Sequence, residues 1–183
     1  MFATNFLFQA GFTFFTTFSS VFLITKFHFN QGDIGNYFAY VGIWIAISQA
    51  LVTRKVSSIW NERQILDVSI IATGLFILFQ FIPTVWWGLL FVIPFFAIFM
   101  GLSQANITSL ISRSVGPDVQ GEILGVNASV QALAQSIPPV LSGYIAARIA
   151  AGAPLVISGI TIIIAGIVFI VFSKGTRERR VIA

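Results

Sequence analysis

GPDVQGEILGVNASVQALAQSIPPVLSGYIAA, residues 116–147, is apolar enough to lie in a membrane. It nevertheless carries Asn127, Gln131 and Gln135 at four-residue intervals, a Pro138-Pro139 pair and four glycines. From Glu122 to Ala147 it is long enough for one membrane-crossing helix, which takes about 20 mostly apolar residues. At about 100° per residue, with Asn127 at zero, Gln131 falls near 40° and Gln135 near 80°. On the same scale Gly121, Gly125, Ala128, Ser129, Ala132, Ser136 and Gly143 fall at roughly 100–200°. Val126, Val130, Leu133, Ile137, Leu141 and Tyr144 fall at roughly 240–320°. The bulky sector suits lipid. The small sector suits close helix packing, with Gly121-x-x-x-Gly125 as a small-x-x-x-small pair. An unpaired amide in hydrocarbon costs several kcal/mol, so the amide stripe is expected to face a water-filled cavity rather than lipid. Pro138 and Pro139 remove backbone donors and are expected to let the helix bend as a gate.

The rest of the chain has the same character. Of 183 residues, 57% are hydrophobic and 9% charged, against roughly 25% charged in soluble domains. Mean hydropathy is +0.94. A soluble domain needs a charged surface, and lipid as solvent removes that need. The pI near 10.0 comes from basic residues in connections and in the terminal run KGTRERR, which marks a membrane protein rather than a nucleic-acid binder. There is no Cys and a single His. No catalytic set, metal-ligand cluster or cofactor motif is present, so an enzyme is not expected.

Six stretches can span: approximately 3–25, 34–53, 65–83, 87–112, 122–147 and 153–173, followed by a basic tail at 174–183. This is an all-α, polytopic membrane fold. With six spans both termini share a side. On that side fall Arg54, Lys55, Arg63, Arg113, Lys174, Arg177, Arg179 and Arg180, against Lys26 and Arg148 on the other. Eight to two places both termini in the cytoplasm of a cell (plasma or inner) membrane. Asp33, Asp67, Asp118 and Glu122 fall in loops or first turns, so no proton relay within the membrane is evident.

Other spans also carry polar stripes. In the first, Asn5, Gln9, Thr13, Thr16 and Ser20 share one face. Two readings stay open there: helix–helix hydrogen bonding, worth on the order of 0.6–2 kcal/mol per pair, or the wall of a wet cavity. In the fourth, Pro94 is expected to kink the helix, and Gln104 and Thr108 share a face.

The motifs then bring a resemblance. Ile34–Thr53, with Gly35, Gly42, Gln49 and Val52, resembles the eighth span of the drug:proton antiporters of the major facilitator superfamily, the tetracycline and multidrug efflux group. Gly101–Ala147, with Gly101, Gln104, Ser109, Gln120-Gly121, Gly125 and Pro139, is similar to spans ten and eleven. The resemblance covers nearly the whole chain, but only the carboxyl-terminal half of the family. It implies half of a twelve-span fold, built from two inverted three-helix repeats, with substrate bound near the midplane between halves. It implies efflux by alternating access of small, lipophilic compounds, with membrane lipid and an amino-terminal six-span half as partners. The start of the first span at Met1 is read as truncation. Candidate cavity residues are Gln9, Thr13, Thr16, Gln49, Gln104, Asn127, Gln131 and Gln135. Candidates for helix packing and gating are Gly121, Gly125, Pro138 and Pro139. The alternative is a self-sufficient six-span protein forming a homodimeric pore or scaffold.

Overall fold

In a computed structural model, the structure describes residues 1–148 and 152–181, and of 142, 146 and 174–181 the backbone alone. The chain folds as α1 (Phe2–Phe27), α2 (Gln31–Ile47), a π-helical turn (Ser48–Val52), α3 (Thr53–Ser57), α4 (Glu62–Phe79), α5 (Trp87–Ser112), a 3-10 turn (Pro117–Val119), α6 (Gln120–Arg148) and α7 (Ala153–Val181). No strand occurs among the described residues. The π turn joins α2 to α3, so residues 31–57 form one continuous helical rod.

Local chemistry sets the ends. α2 starts at Asn30, whose side chain accepts from the Gly32 and Asp33 amides at 2.8 and 3.0 Å, while Asp33 Oδ2 accepts from the Asn30 amide at 3.0 Å. This reciprocal box satisfies donors the first turn would otherwise leave open. At the start of α4, the Asn61 amide donates to Gln64 Oε1 at 3.2 Å. α1 stops at His28, which takes a left-handed conformation with φ of 57°. Pro94 lies inside α5, and Pro138 and Pro139 inside α6, and both helices run on through them.

Among the described residues, four helical rods are long and apolar enough to cross a membrane: Phe2–Phe27, Gln31–Ser57, Trp87–Ser112 and Ala153–Ser173. The chain is thus a multi-pass membrane protein. Two of the six expected spans fall outside that set. α4 carries Glu62, Arg63 and Asp67 within 18 residues, and α6 is diluted by its amides, glycines and prolines. Asp67, expected in a first turn, stands six residues into α4 and is half-buried.

The helices run alternately up and down. α1 packs against α6 and α7, α4 against α5 and α7, and α2 against α5. The core between them holds Phe8, Phe15, Leu66, Ile70, Ile93 and Phe96, each no more than 1% exposed. Phe15 of α1 meets Phe96 of α5 with ring centroids 4.8 Å apart. One end gathers Arg63, Arg113 and the start of α1. At the other, Lys26 Nζ donates to the Phe81 carbonyl at 2.5 Å. Large exposed residues such as Phe91, Val140, Val171 and Phe172 face outward, where hydrocarbon imposes no penalty.

Glycines let helices cross closely. A Cβ on Gly74 of α4 would lie 2.7 Å from the Gly159 carbonyl oxygen of α7. A Cβ on Gly101 of α5 would lie 2.8 Å from Ser48 Oγ, which donates to the Ile98 carbonyl at 2.8 Å. The π turn in the α2–α3 rod therefore sits against α5 at its glycine.

Candidate functional site

Polar side chains inside an apolar helix bundle hydrogen-bond one another, because hydrocarbon offers no alternative. Four amides do so here. Asn5 and Gln9 lie one turn apart on α1 and reach in different directions. Asn5 Nδ2 donates to Asn127 Oδ1 of α6 at 2.6 Å. Gln9 Nε2 donates to Gln104 Oε1 of α5 at 3.3 Å. Asn5, Gln9 and Asn127 are 0%, 4% and 4% exposed, so this layer ties α1, α5 and α6 together out of solvent. Asn5 Oδ1 is buried with no partner, which leaves one acceptor unused.

Of the expected cavity residues, the structure thus brings together Gln9, Gln104 and Asn127. Thr13 and Thr16 continue the stripe along α1, but their hydroxyls donate to their own helix, to the Gln9 and Thr13 carbonyls at 2.8 and 3.2 Å. Thr108 does the same on α5, donating to the Gln104 carbonyl at 3.1 Å. Gln49 lies in the π turn and is exposed. Gln131 is half-buried, Gln135 is exposed, and neither has a hydrogen-bond partner among the described residues.

The faces of α6 fall differently from the wheel's expectation. Its packed stripe is Ile123, Asn127, Gln131, Ala134 and Pro138, centred on the amide direction and laid against α1. The sector expected to pack is open: Gly121, Gly125, Ala128 and Ala132 are exposed, and an added Cβ at either glycine meets nothing within 4 Å. The reason is Asn5, a matching amide on α1, which makes the amide side the adhesive one. Pro138 is buried in this stripe and Pro139 is exposed.

Several contacts carried no sequence signal. Ser103 Oγ donates to Ser69 Oγ at 2.9 Å between α5 and α4. Tyr37 donates to Gln80 Oε1 at 2.7 Å. Glu62 accepts from Ser109 Oγ at 2.7 Å and pairs with Arg113 at 3.1 Å. These residues are 34 to 51 positions apart, and no local spacing rule links them.

Chemically, the amide layer offers donors and acceptors but contains no titratable group. It has no nucleophile or general base. No cluster of His, Cys, Asp and Glu able to hold a metal occurs among the described residues. Residues 1–182 match the family model described as Major Facilitator Superfamily, and the chain belongs to that superfamily of membrane transporters.

Proposed function

We propose that the chain is the carboxyl-terminal, six-span half of a secondary transporter that exports small lipophilic compounds by alternating access. An amino-terminal six-span half completes it. Both termini lie in the cytoplasm of a cell membrane, with the Arg63–Arg113 end inward. The observation that carries the proposal is the uncharged amide layer of Asn5, Gln9, Gln104 and Asn127 joining three helices. Gln131 and Gln135 extend it along α6 as amides free to meet a ligand.

Open small-residue faces support the missing half. Gly35 and Gly42 on α2, like Gly121 and Gly125 on α6, have nothing within 4 Å of an added Cβ. By contrast, Gly11, Gly74, Gly159 and Gly166 are closed by α7 or α4. Two halves that rock on one another need surfaces where backbones approach closely, and small residues supply them. The same faces would admit a second copy of this chain, the homodimeric alternative, and cross-linking separates the two.

The test is export from intact cells of a panel of lipophilic cations and uncharged dyes. Co-expression with an amino-terminal half from the same superfamily is expected to lower dye accumulation severalfold relative to either half alone. Gln131→Leu is expected to weaken export by about tenfold, the loss of one hydrogen bond to bound ligand. Accumulation that is the same with and without the second half, for every dye, overturns the proposal.

A further inference from the structure

A cavity of about 600 Å³ lies at the basic end. Five polar side chains line it: Thr4 of α1, Arg63 of α4, Arg113 and Ser114 after α5, and Ser173 of α7. Apart from Ser173, its far wall is apolar and comes from α7, with Val168, Phe169 and Phe172. Phe172 is 72% exposed, so this wall opens to the outside of the bundle, where acyl chains lie.

The charge is unbalanced. Glu62 pairs with Arg113 at 3.1 Å, but its Oε1 also takes the Ser109 hydroxyl. The Arg113 side chain is 73% exposed, and a guanidinium has five N–H donors, so most of them stay available. Arg63 has no ion-pair partner among the described residues. Thr4 is 3% exposed, and its hydroxyl has no hydrogen-bond partner among the described residues. An unused hydroxyl lining the same cavity as two guanidinium groups supplies a ready set of donors for phosphate oxygens.

We propose that this cavity binds the headgroup of an anionic phospholipid, with its phosphate on Arg63 and Arg113 and an acyl chain along Val168 and Phe172. Basic pockets between membrane helices suit such headgroups, and a cavity of this volume is in the range that holds small ligands. The polar and apolar walls match the two parts of a lipid, whereas a free phosphate would leave the apolar wall unused. A zwitterionic headgroup carries a cation that the two arginines repel.

The test is thermal unfolding of the purified full chain in detergent, with phosphatidylglycerol, phosphatidylcholine or glycerol 3-phosphate added. Phosphatidylglycerol is expected to raise the Tm in a saturable way. Phosphatidylcholine and millimolar glycerol 3-phosphate are expected to leave it in place. Arg63→Gln combined with Arg113→Gln is expected to weaken the phosphatidylglycerol effect about tenfold or more. Arg63→Gln alone, which breaks no ion pair among the described residues, is expected to weaken it severalfold and serves if the double variant does not fold. Equal shifts from the two lipids, or a phosphatidylglycerol effect untouched by Arg63→Gln, overturn the lipid site. A shift from glycerol 3-phosphate alone overturns it in favour of a soluble phosphate.

Discussion

Gly74→Val is expected to prevent stable folding, and even Gly74→Ala is expected to lower stability. At this crossing α4 and α7 touch through their backbones. The added Cβ would stand 2.7 Å from the Gly159 carbonyl oxygen, 2.7 Å from Ile163 Cγ1 and 3.1 Å from the Ile163 amide nitrogen. Two of these neighbours are main chain or close to it, so a rotamer change cannot relieve the overlap. Gly159 faces back with a Cβ position 3.0 Å from the Gly74 carbonyl oxygen and 2.7 Å from Leu78. One turn pair further on, a Cβ on Gly166 would meet Ile71 Cγ1 at 2.6 Å. The helices must separate to admit a side chain, and the seal around Ile70, Ile77 and Ile162 opens with them.

Overpacking of this kind costs about 1–3 kcal/mol for small additions and more for valine. In an ordinary helix, Gly→Ala gains about 1 kcal/mol from propensity. The sign is therefore informative. Gly125→Ala, where the Cβ meets nothing within 4 Å, is expected to leave the Tm unchanged or raise it. Gly74→Ala is expected to lower it by several degrees, and Gly74→Val to give aggregated protein on size-exclusion chromatography in detergent. If Gly74→Ala and Gly125→Ala behave alike, the α4–α7 contact is wrong.

The second large effect belongs to the Asn5–Asn127 pair. Asn127→Leu leaves the Asn5 amide buried among apolar side chains without its partner. Such an unsatisfied group costs about 1–3 kcal/mol. Asn5→Leu does the same to Asn127. The double variant removes both polar groups in similar volume, so it is expected to recover most of the lost stability. A coupling of about 1 kcal/mol is expected for a buried pair in a membrane protein. Export separates this structural role from the proposed binding role. If the amide layer contacts the solute, the stable double variant stays inactive in co-expressing cells, although its abundance matches the parent. Full export by the double variant would reduce the pair to helix adhesion.

Much of the fold was legible because membrane solvent leaves few choices. Trp86-Trp87 and Arg113 bracket a mostly apolar run with no charged residue, and α5 occupies residues 87–112 as that run requires. The caps at Asn30 and Asn61 lie a few residues outside the apolar stretches they open, which is why α2 and α4 start earlier than hydropathy alone places them. The join at Ser48–Val52 was not legible. SQALV has no feature that separates a π turn from an α turn, and the cause is tertiary: Ser48 seats on Gly101.

The faces of α6 show where periodicity stops. A helical wheel gives the angle between Asn127 and Gly125, but not which angle points at a neighbour. That depended on Asn5, 122 residues away. Glycine patterns have the same weakness. Gly159 and Gly166 recur at seven residues on α7 and are closed by α4, whereas Gly35 and Gly42 recur at seven on α2 and are open. The pattern marks a surface able to approach another closely, and only the three-dimensional arrangement says whether the partner lies within the chain.

That open partner is the central claim, and the chain offers a clean way to read it, because it contains no cysteine. Gly125→Cys on α6 introduces one reactive thiol on an exposed face. Co-expressed in membranes with an amino-terminal six-span half carrying a single cysteine on its facing helix, it is expected to give a cross-linked product with the summed mass of the two polypeptides. A product at twice the mass of this chain, formed whether or not the second half is present, would contradict the half-transporter and establish the homodimer instead.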